Sequence, residues 1–241
     1  MPDIASLAGT IAEELRDEIL RGRYRAGERL PSERDLATRM EANRSSVREA
    51  LKTLEQLRLI EIRPGGGARV TPVEEASLDV LEHLLVVDGA PDPVLAAQCL
   101  DVLELLTTGA VRFAVERGSD RELARARELL RIMSARRTTN EGYLDAFNEL
   151  IGLIHTASQN LVLQLVRNGI RSLFERRPEL SQLRPPRAQL EAISQMLEVA
   201  LAERDAAAAQ EGARRLVRAN RERLLKALET ERGRPPETPS T

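Results

Sequence analysis

The chain has 241 residues, 42% hydrophobic but only 2% aromatic, with no Trp and a formal net charge of −2. That length allows two compact domains, and the composition calls for a core of Leu, Ile, Val and Ala in a largely helical fold. The charge balance excludes a polycation. It leaves room for a local basic surface: residues 1–72 hold 13 basic and 12 acidic side chains, whereas 42–71 hold 6 and 3. The single cysteine, Cys99, excludes an intrachain disulfide and is compatible with a reducing compartment. The opening MPDIASLAG lacks a basic segment followed by an apolar one, so no secretory signal is expected. No apolar run approaches about 18 residues by inspection, so no membrane span is expected. The location implied is cytoplasmic.

In residues 7–22 the apolar positions Ile11, Leu15, Ile19 and Leu20 share one helical face, and Gly22 is a stop signal. Gly27 and Pro31 punctuate a link. Ser32, with Asp35 three residues on, reads as the cap of a short second helix whose inner side is Leu36, Ala37 and Met40. Asn43 caps a third helix with the stripe Val47, Leu51, Leu54 and Leu57. Arg44, Arg48 and Lys52, four apart, line another of its faces. A short β run over 59–63, the turn Gly65–Gly66–Gly67 and the return ARVTP complete a hairpin.

Three helices and a hairpin in about 70 residues match the winged helix-turn-helix pattern, in which the start of the third helix lies nearest the bases. That start carries Asn43, Arg44, Ser45, Ser46 and Arg48. An Arg fork fits the two acceptors of a guanine edge, and hydroxyls and helix-start N–H groups fit phosphate oxygens. Taken alone, the basic stripe reads first as a solvated face, and the glycines as a plain turn. Their combination is more specific than either.

Residues 19–70 contain G-x-x-LPSER-x-LA, R-x-x-VREAL and L-x-x-I-x-x-GGG-x-x-V. This run resembles the DNA-binding domain of GntR-family bacterial transcription regulators over about 50 residues. Carried over position by position, the resemblance implies DNA contacts from Arg34, Arg44, Ser45, Ser46, Arg48 and Gly65. Asn43 stands where many relatives have Thr, and Pro64 where a polar wing-tip residue is common. Glu33, Glu49 and Glu55 are expected to pair with neighbouring Arg side chains, each exposed pair contributing about 0–1 kcal/mol.

From 74 to 231 nearly everything reads as helix, with breaks at 89–93, 118–120, 138–142, 159–160, 178–186 and near 205, which implies six or seven helices. Ser119 and Glu122 have capping-box spacing. The tail ERGRPPETPST is Pro-rich and polar and is expected to be disordered. The expected fold class is mainly α: a winged helix-turn-helix with a small β-hairpin wing over 1–73, an all-α ligand-sensing and dimerisation bundle over 74–230, and a tail over 231–241.

The helical part resembles effector domains of the FadR subfamily, most closely at ASQNLVLQLVRNGIRSLFERR (157–177). Many relatives hold a metal with three histidines. This chain has only His83 and His155, and Asp145-Ala-Phe-Asn148 where D-x-x-F-H is common, so no metal is expected. His155 and Cys99 read as packed residues. The resemblance implies an acyl-CoA or another hydrophobic effector as the alternative. Leu150, Ile151, Ile154, Leu165, Ile170, Leu173 and Phe174 are candidates for an apolar slot, although residues of this kind more often form plain core. Asn168 is a candidate head-group donor or, equally, a partner for a backbone group, and Asn160 a helix cap. Leu103 stands where many relatives carry an Arg.

No nucleophile–His–acid set, P-loop or G-x-G-x-x-G is present, so an enzyme is not expected. The expectation is a ligand-responsive homodimer that reads an inverted-repeat operator in double-stranded DNA, with repression as the family's usual mode. A regulator sensing a small organic acid, and a ligand-free DNA binder, stay open.

Overall fold

The computed structural model describes residues 4–87, 90–175 and 185–232. They form two compact units, Met1–Leu84 and Leu85–Thr241.

In the first unit α1 (Ile4–Leu20), α2 (Glu33–Arg39) and α3 (Arg44–Gln56) precede an antiparallel hairpin of β1 (Ile60–Arg63) and β2 (Gly67–Val70). The stripes read from the sequence meet in one core: Ile11, Leu15, Leu36, Val47, Leu54, Leu59 and Ile60 are buried together. Ser32 caps α2 by accepting the Asp35 N–H, and Asn43 caps α3 by accepting the Ser46 N–H. The tight connection between α2 and α3 closes through Glu41 at φ 49, with the Ala42 N–H donating to the Ala37 carbonyl at 2.9 Å. The link before α2 is more ordered than its Gly and Pro suggest. Leu30 and Val70 exchange backbone bonds with Ala68 and Glu28, so residues 28–30 lie along β2 as a third short edge.

Glu18 is buried beneath this unit, 8% exposed. It accepts from Arg39 at 2.8 Å and from Arg23, and Arg39 also donates to the Tyr24 hydroxyl. Two guanidinium groups compensate the buried carboxylate and tie α1 to α2.

The sequence reading closed the first domain at residue 73. The compact unit runs on to Leu84: Val80 is buried in the same core, Ala76 and Leu84 pack on it, and the Ser77 N–H donates to the Leu57 carbonyl. Two 3-10 turns and α4 (Leu81–Leu84) occupy that stretch.

The second unit opens with a two-residue hairpin, β3 (Val86–Val87) against β4 (Ala90–Pro91), which the all-helical reading did not contain. Then follow α5 (Pro93–Arg117), α6 (Asp120–Ser134), α7 (Asn140–Ala157), α8 (Leu161–Glu175), α9 (Arg187–Glu203) and α10 (Ala206–Arg232). The described residues from 74 to 231 thus carry seven α-helices. α5 packs on α10 and α7, and α6 on α7 and α9. Their core is aliphatic, centred on Val111, Leu130, Leu150, Leu190 and Leu216, with Tyr143 donating to Asn220 Oδ1 at 2.8 Å. Ser119 and Glu122 form the capping box that their spacing implied. Arg204, left-handed at the end of α9, donates to the Val115 and Gly118 carbonyls and to Asp120. The α9–α10 turn is thereby pinned to the α5–α6 turn.

One sequence expectation needs correction. α5 is 25 residues long and reaches a mean hydropathy of 1.5, enough by length and composition to cross a bilayer. The run was missed because Asp101 and Glu104 interrupt it. Ala96, Ala110, Val111, Ala114 and Val115 on α5 are buried within the unit. The proposed tail, 231–241, and the break at 178–186 lie almost wholly outside the described residues.

Candidate nucleic-acid interface

α3 is anchored by Val47, Ala50, Leu51 and Leu54, all buried, and its outer face is what remains. Arg44 and Ser45 stand exposed at its first turn. Arg44 makes no side-chain hydrogen bond or ion pair among the described residues, yet its charge reaches Glu33. No described residue of the unit commits this exposed fork, which carries five N–H donors.

Arg48 is differently placed. Its Nε and Nη2 donate to the two carboxylate oxygens of Glu33 at 3.0 and 2.7 Å, spanning from α3 to the first turn of α2. Those bonds come first, and the charges of Arg48 and Arg44 add to them. Together they hold the Glu33 carboxyl below the usual carboxylate range against slight desolvation. Lys52 pairs with Glu49 at 2.9 Å, and Arg63 with Glu61 at 2.7 Å. Glu55 instead accepts the Ile62 backbone N–H, fastening α3 to the wing. Arg34 is 75% exposed by side chain and only grazes Asp35 at 3.7 Å, so it remains available at the head of α2.

Ser46 does not belong to this outer face. It is 0% exposed and its Oγ makes no hydrogen bond, although its N–H meets the Asn43 cap. The step Ser46–Ala50–Leu54 puts it on the buried stripe, and that four-residue spacing is the signal that could have found it. Asn43 has its side-chain oxygen committed to capping, which leaves its amide NH2 for an outside partner.

At the wing, Gly65 has φ +69 and nothing within 4 Å of where a Cβ would sit. The turn tip is open on that side, and backbone N–H groups there can meet a phosphate closely. Gly67, φ +73, is crowded: a Cβ would lie 2.8 Å from Nε of Arg29. Arg69 donates to the Gly27 carbonyl at 2.9 Å. The exposed cations thus run from the α2 and α3 starts to the wing.

In the helical unit, Leu150, Ile151 and Ile154 line an apolar cavity with Thr107, Val111 and Leu216. Its volume is about 20 Å³, roughly room for one water. Ile170 is buried, but Leu165 is 61% exposed and Asn168 is also exposed, so the slot residues do not converge. The side chains of Leu173 and Phe174 lie outside the described residues. Asn160 caps α8 by accepting the Leu163 N–H at 3.1 Å. His83 belongs to the first unit, where Nη1 of Arg16 stands 3.2 Å from its Nε2. Cys99 is buried, which pushes its thiol up. Among the described residues no group of three His, Cys, Asp or Glu is placed to hold a metal ion.

Comparison with known proteins follows this division. Residues 7–70 match the family described as bacterial regulatory proteins, gntR family, and residues 98–219 match the FCD domain. The galactonate operon transcriptional repressor of Escherichia coli is 33% identical over 156 residues, 64% of each chain. The Uxu operon regulator of Haemophilus influenzae is 27% identical over 153 residues, 64% of this chain and 55% of that one. The chain therefore spans somewhat under two-thirds of the length of these two relatives. The fatty acid metabolism regulator protein of Klebsiella pneumoniae is 30% identical over 176 residues, 71% of this chain and 70% of that one. Among solved structures, Lar, which controls the Listeria monocytogenes agr system, superposes with a TM-score of 0.51 at 18% identity. It covers 91% of this chain and 96% of that one, a likeness of fold. With a reader at its head and an FCD domain behind it, the chain belongs to the gntR family of bacterial regulatory proteins, which are DNA-binding transcription regulators and not enzymes.

Proposed function

We propose that the protein is a cytoplasmic, ligand-responsive repressor that binds double-stranded operator DNA as a homodimer. The observation that carries this reading is Arg44: an exposed, uncommitted guanidinium at the first turn of a helix whose opposite face is locked into the core. Arg44 reads a guanine edge, Ser45 and Arg34 hold phosphates, and the Gly65 turn lies along the backbone. Arg48 contributes by way of Glu33.

Pairing of two copies is supported by apolar side chains left in water on the helical unit. Val94, Val102 and Leu105 stand exposed on α5, and Leu161, Val162 and Leu165 on α8. Exposed apolar stripes of this kind mark association surfaces. A two-fold dimer places two α3 helices on an inverted repeat. Two of the relatives are named as operon regulators and one as a regulator of fatty acid metabolism. A metabolite that prefers one arrangement of the dimer would change operator affinity. A long acyl chain needs the helices to part, since the cavity takes about one water.

The test is a gel shift on the DNA upstream of the protein's own gene, with sedimentation to count chains. Two chains per site, with affinity falling steeply as salt rises, support the reading. A flat salt dependence, or a single chain bound, refutes it.

A further inference from the structure

The outer face of the wing holds two arginines side by side. Residues 28–30 lie along β2, and Arg29 stands opposite Arg69 as an antiparallel bridge. The Leu30 N–H donates to the Ala68 carbonyl and the Val70 N–H to the Glu28 carbonyl, so the backbones of Arg29 and Arg69 share no hydrogen bond with each other. Pairs of this kind bring their Cα atoms within about 4.5 Å and their side chains closest together. Leu30, Ala68 and Val70 are buried on the core side, which turns Arg29 and Arg69 to the exposed side. Like charges directly opposite each other are destabilising. The carboxylate on the same face is already committed: Glu61, across from Arg69 on β1, is paired with Arg63 at 2.7 Å. Among the described residues Arg29 makes no side-chain hydrogen bond or ion pair, and Arg69 gives one N–H to the Gly27 carbonyl.

Gly67 completes the arrangement. A Cβ on it would come 2.8 Å from Nε and 3.2 Å from Cζ of Arg29, so the Arg29 guanidinium lies across the Gly67 backbone, at the root of the wing turn. We infer that Arg29 and Arg69 form a phosphate clamp on the outer face of the wing, which holds the DNA backbone flanking the bases read by α3. The inference rests on the DNA-binding reading of the first unit. A phosphodiester fits this pair: its negative charge offsets the repulsion between the two guanidinium groups, and its free oxygens accept N–H bonds from both forks. Arg48 and Arg63 differ, since each already holds a carboxylate. Phosphates are alike in every sequence, so the clamp adds affinity and register without base preference.

Salt dependence separates a phosphate contact from a solvated charge. Full-length protein is titrated by fluorescence anisotropy against the DNA upstream of its own gene and against a random duplex of equal length, from about 50 to 200 mM salt. In Arg29→Gln the slope of log affinity against log salt should become shallower by about 0.9, and with Arg69→Gln added by about 1.8. Affinity for both duplexes should fall by the same factor, several-fold at the lower salt, and Arg29→Lys should restore most of it. Arg136→Gln, which removes an exposed arginine of the helical unit, should change nothing. Arg69→Gln also loses the bond to Gly27, so Arg29→Gln is the deciding variant, and its melting temperature should hold or rise as a repulsion is relieved. An unchanged slope in folded Arg29→Gln overturns the clamp, as does a loss confined to the upstream DNA, which would make Arg29 a reader of bases. A wild-type slope near zero would overturn the DNA-binding reading itself, whereas a steep wild-type slope left unaltered by both variants removes the clamp alone.

Discussion

The Arg48 guanidinium grips both carboxylate oxygens of Glu33, joining the first turn of α2 to the outer face of α3. Both side chains are solvent-exposed, so the pair adds little to stability. Its larger effect is to fix where Arg48 points and to cancel one positive charge beside the reading surface. Glu33→Gln should leave the melting temperature nearly unchanged. It should raise affinity for random-sequence DNA several-fold at low salt while lowering the preference for operator. Competition binding with calf-thymus DNA measures both. Unchanged discrimination would mean that Arg48 does not take part.

Arg44→Ala removes a cation that makes no ion pair among the described residues. Operator affinity should fall by about 1–3 kcal/mol, roughly 5- to 150-fold, with the circular dichroism melt unmoved. Fluorescence anisotropy on the upstream DNA reads the first quantity. Unaltered affinity would displace α3 from the major groove.

Gly67→Ala forces a left-handed φ of +73 on an alanine and drives its Cβ to 2.8 Å from Arg29 Nε. Gly65→Ala meets similar strain at φ +69 in open space. Each should cost about 1–2 kcal/mol in urea denaturation, Gly67→Ala the more, because Arg29 must also move. Equal or negligible losses would show that the hairpin relaxes without cost.

His155 sets a pH dependence. In the unfolded chain an imidazole takes its proton near 6.5, whereas in the fold it does so only at about 4. Between these values the unfolded state binds more protons, so stability is fully present above about pH 6.5 and is lost as pH falls toward 4. From pH 7 to pH 5 the loss attributable to His155 is about 2 kcal/mol. His83, pushed down by burial and then by Arg16, acts in the same direction, so the comparison must be with His155→Gln. Urea titrations of both proteins at the two pH values should show a shallower fall in the variant.

Much of the reader was legible from residue spacing. Caps at Ser32, Asn43, Ser119 and Asn160 were visible because a short polar side chain three residues ahead of its N–H partner is a local arrangement. The apolar stripes of α1 to α3 were legible for the same reason. What escaped depends on tertiary neighbours. Ser46 looked like part of a polar cluster by type, and only its register with Ala50 and Leu54 turned it inward. Glu18 finds Arg39 across a contact between α1 and α2 that no local pattern announces. Arg167 is buried on α8, which its type and local sequence do not announce. Leu84 closes the first unit because the segment after Pro72 turns back onto its core.

The central claim is that the start of α3, repeated in two copies, reads a two-fold DNA sequence. In vitro selection of random duplexes by the full-length protein at physiological salt tests it most directly. The account predicts enrichment of one inverted repeat, with a guanine at matching positions of the two half-sites. Enrichment of no common sequence, or of a single unrepeated site, would contradict it.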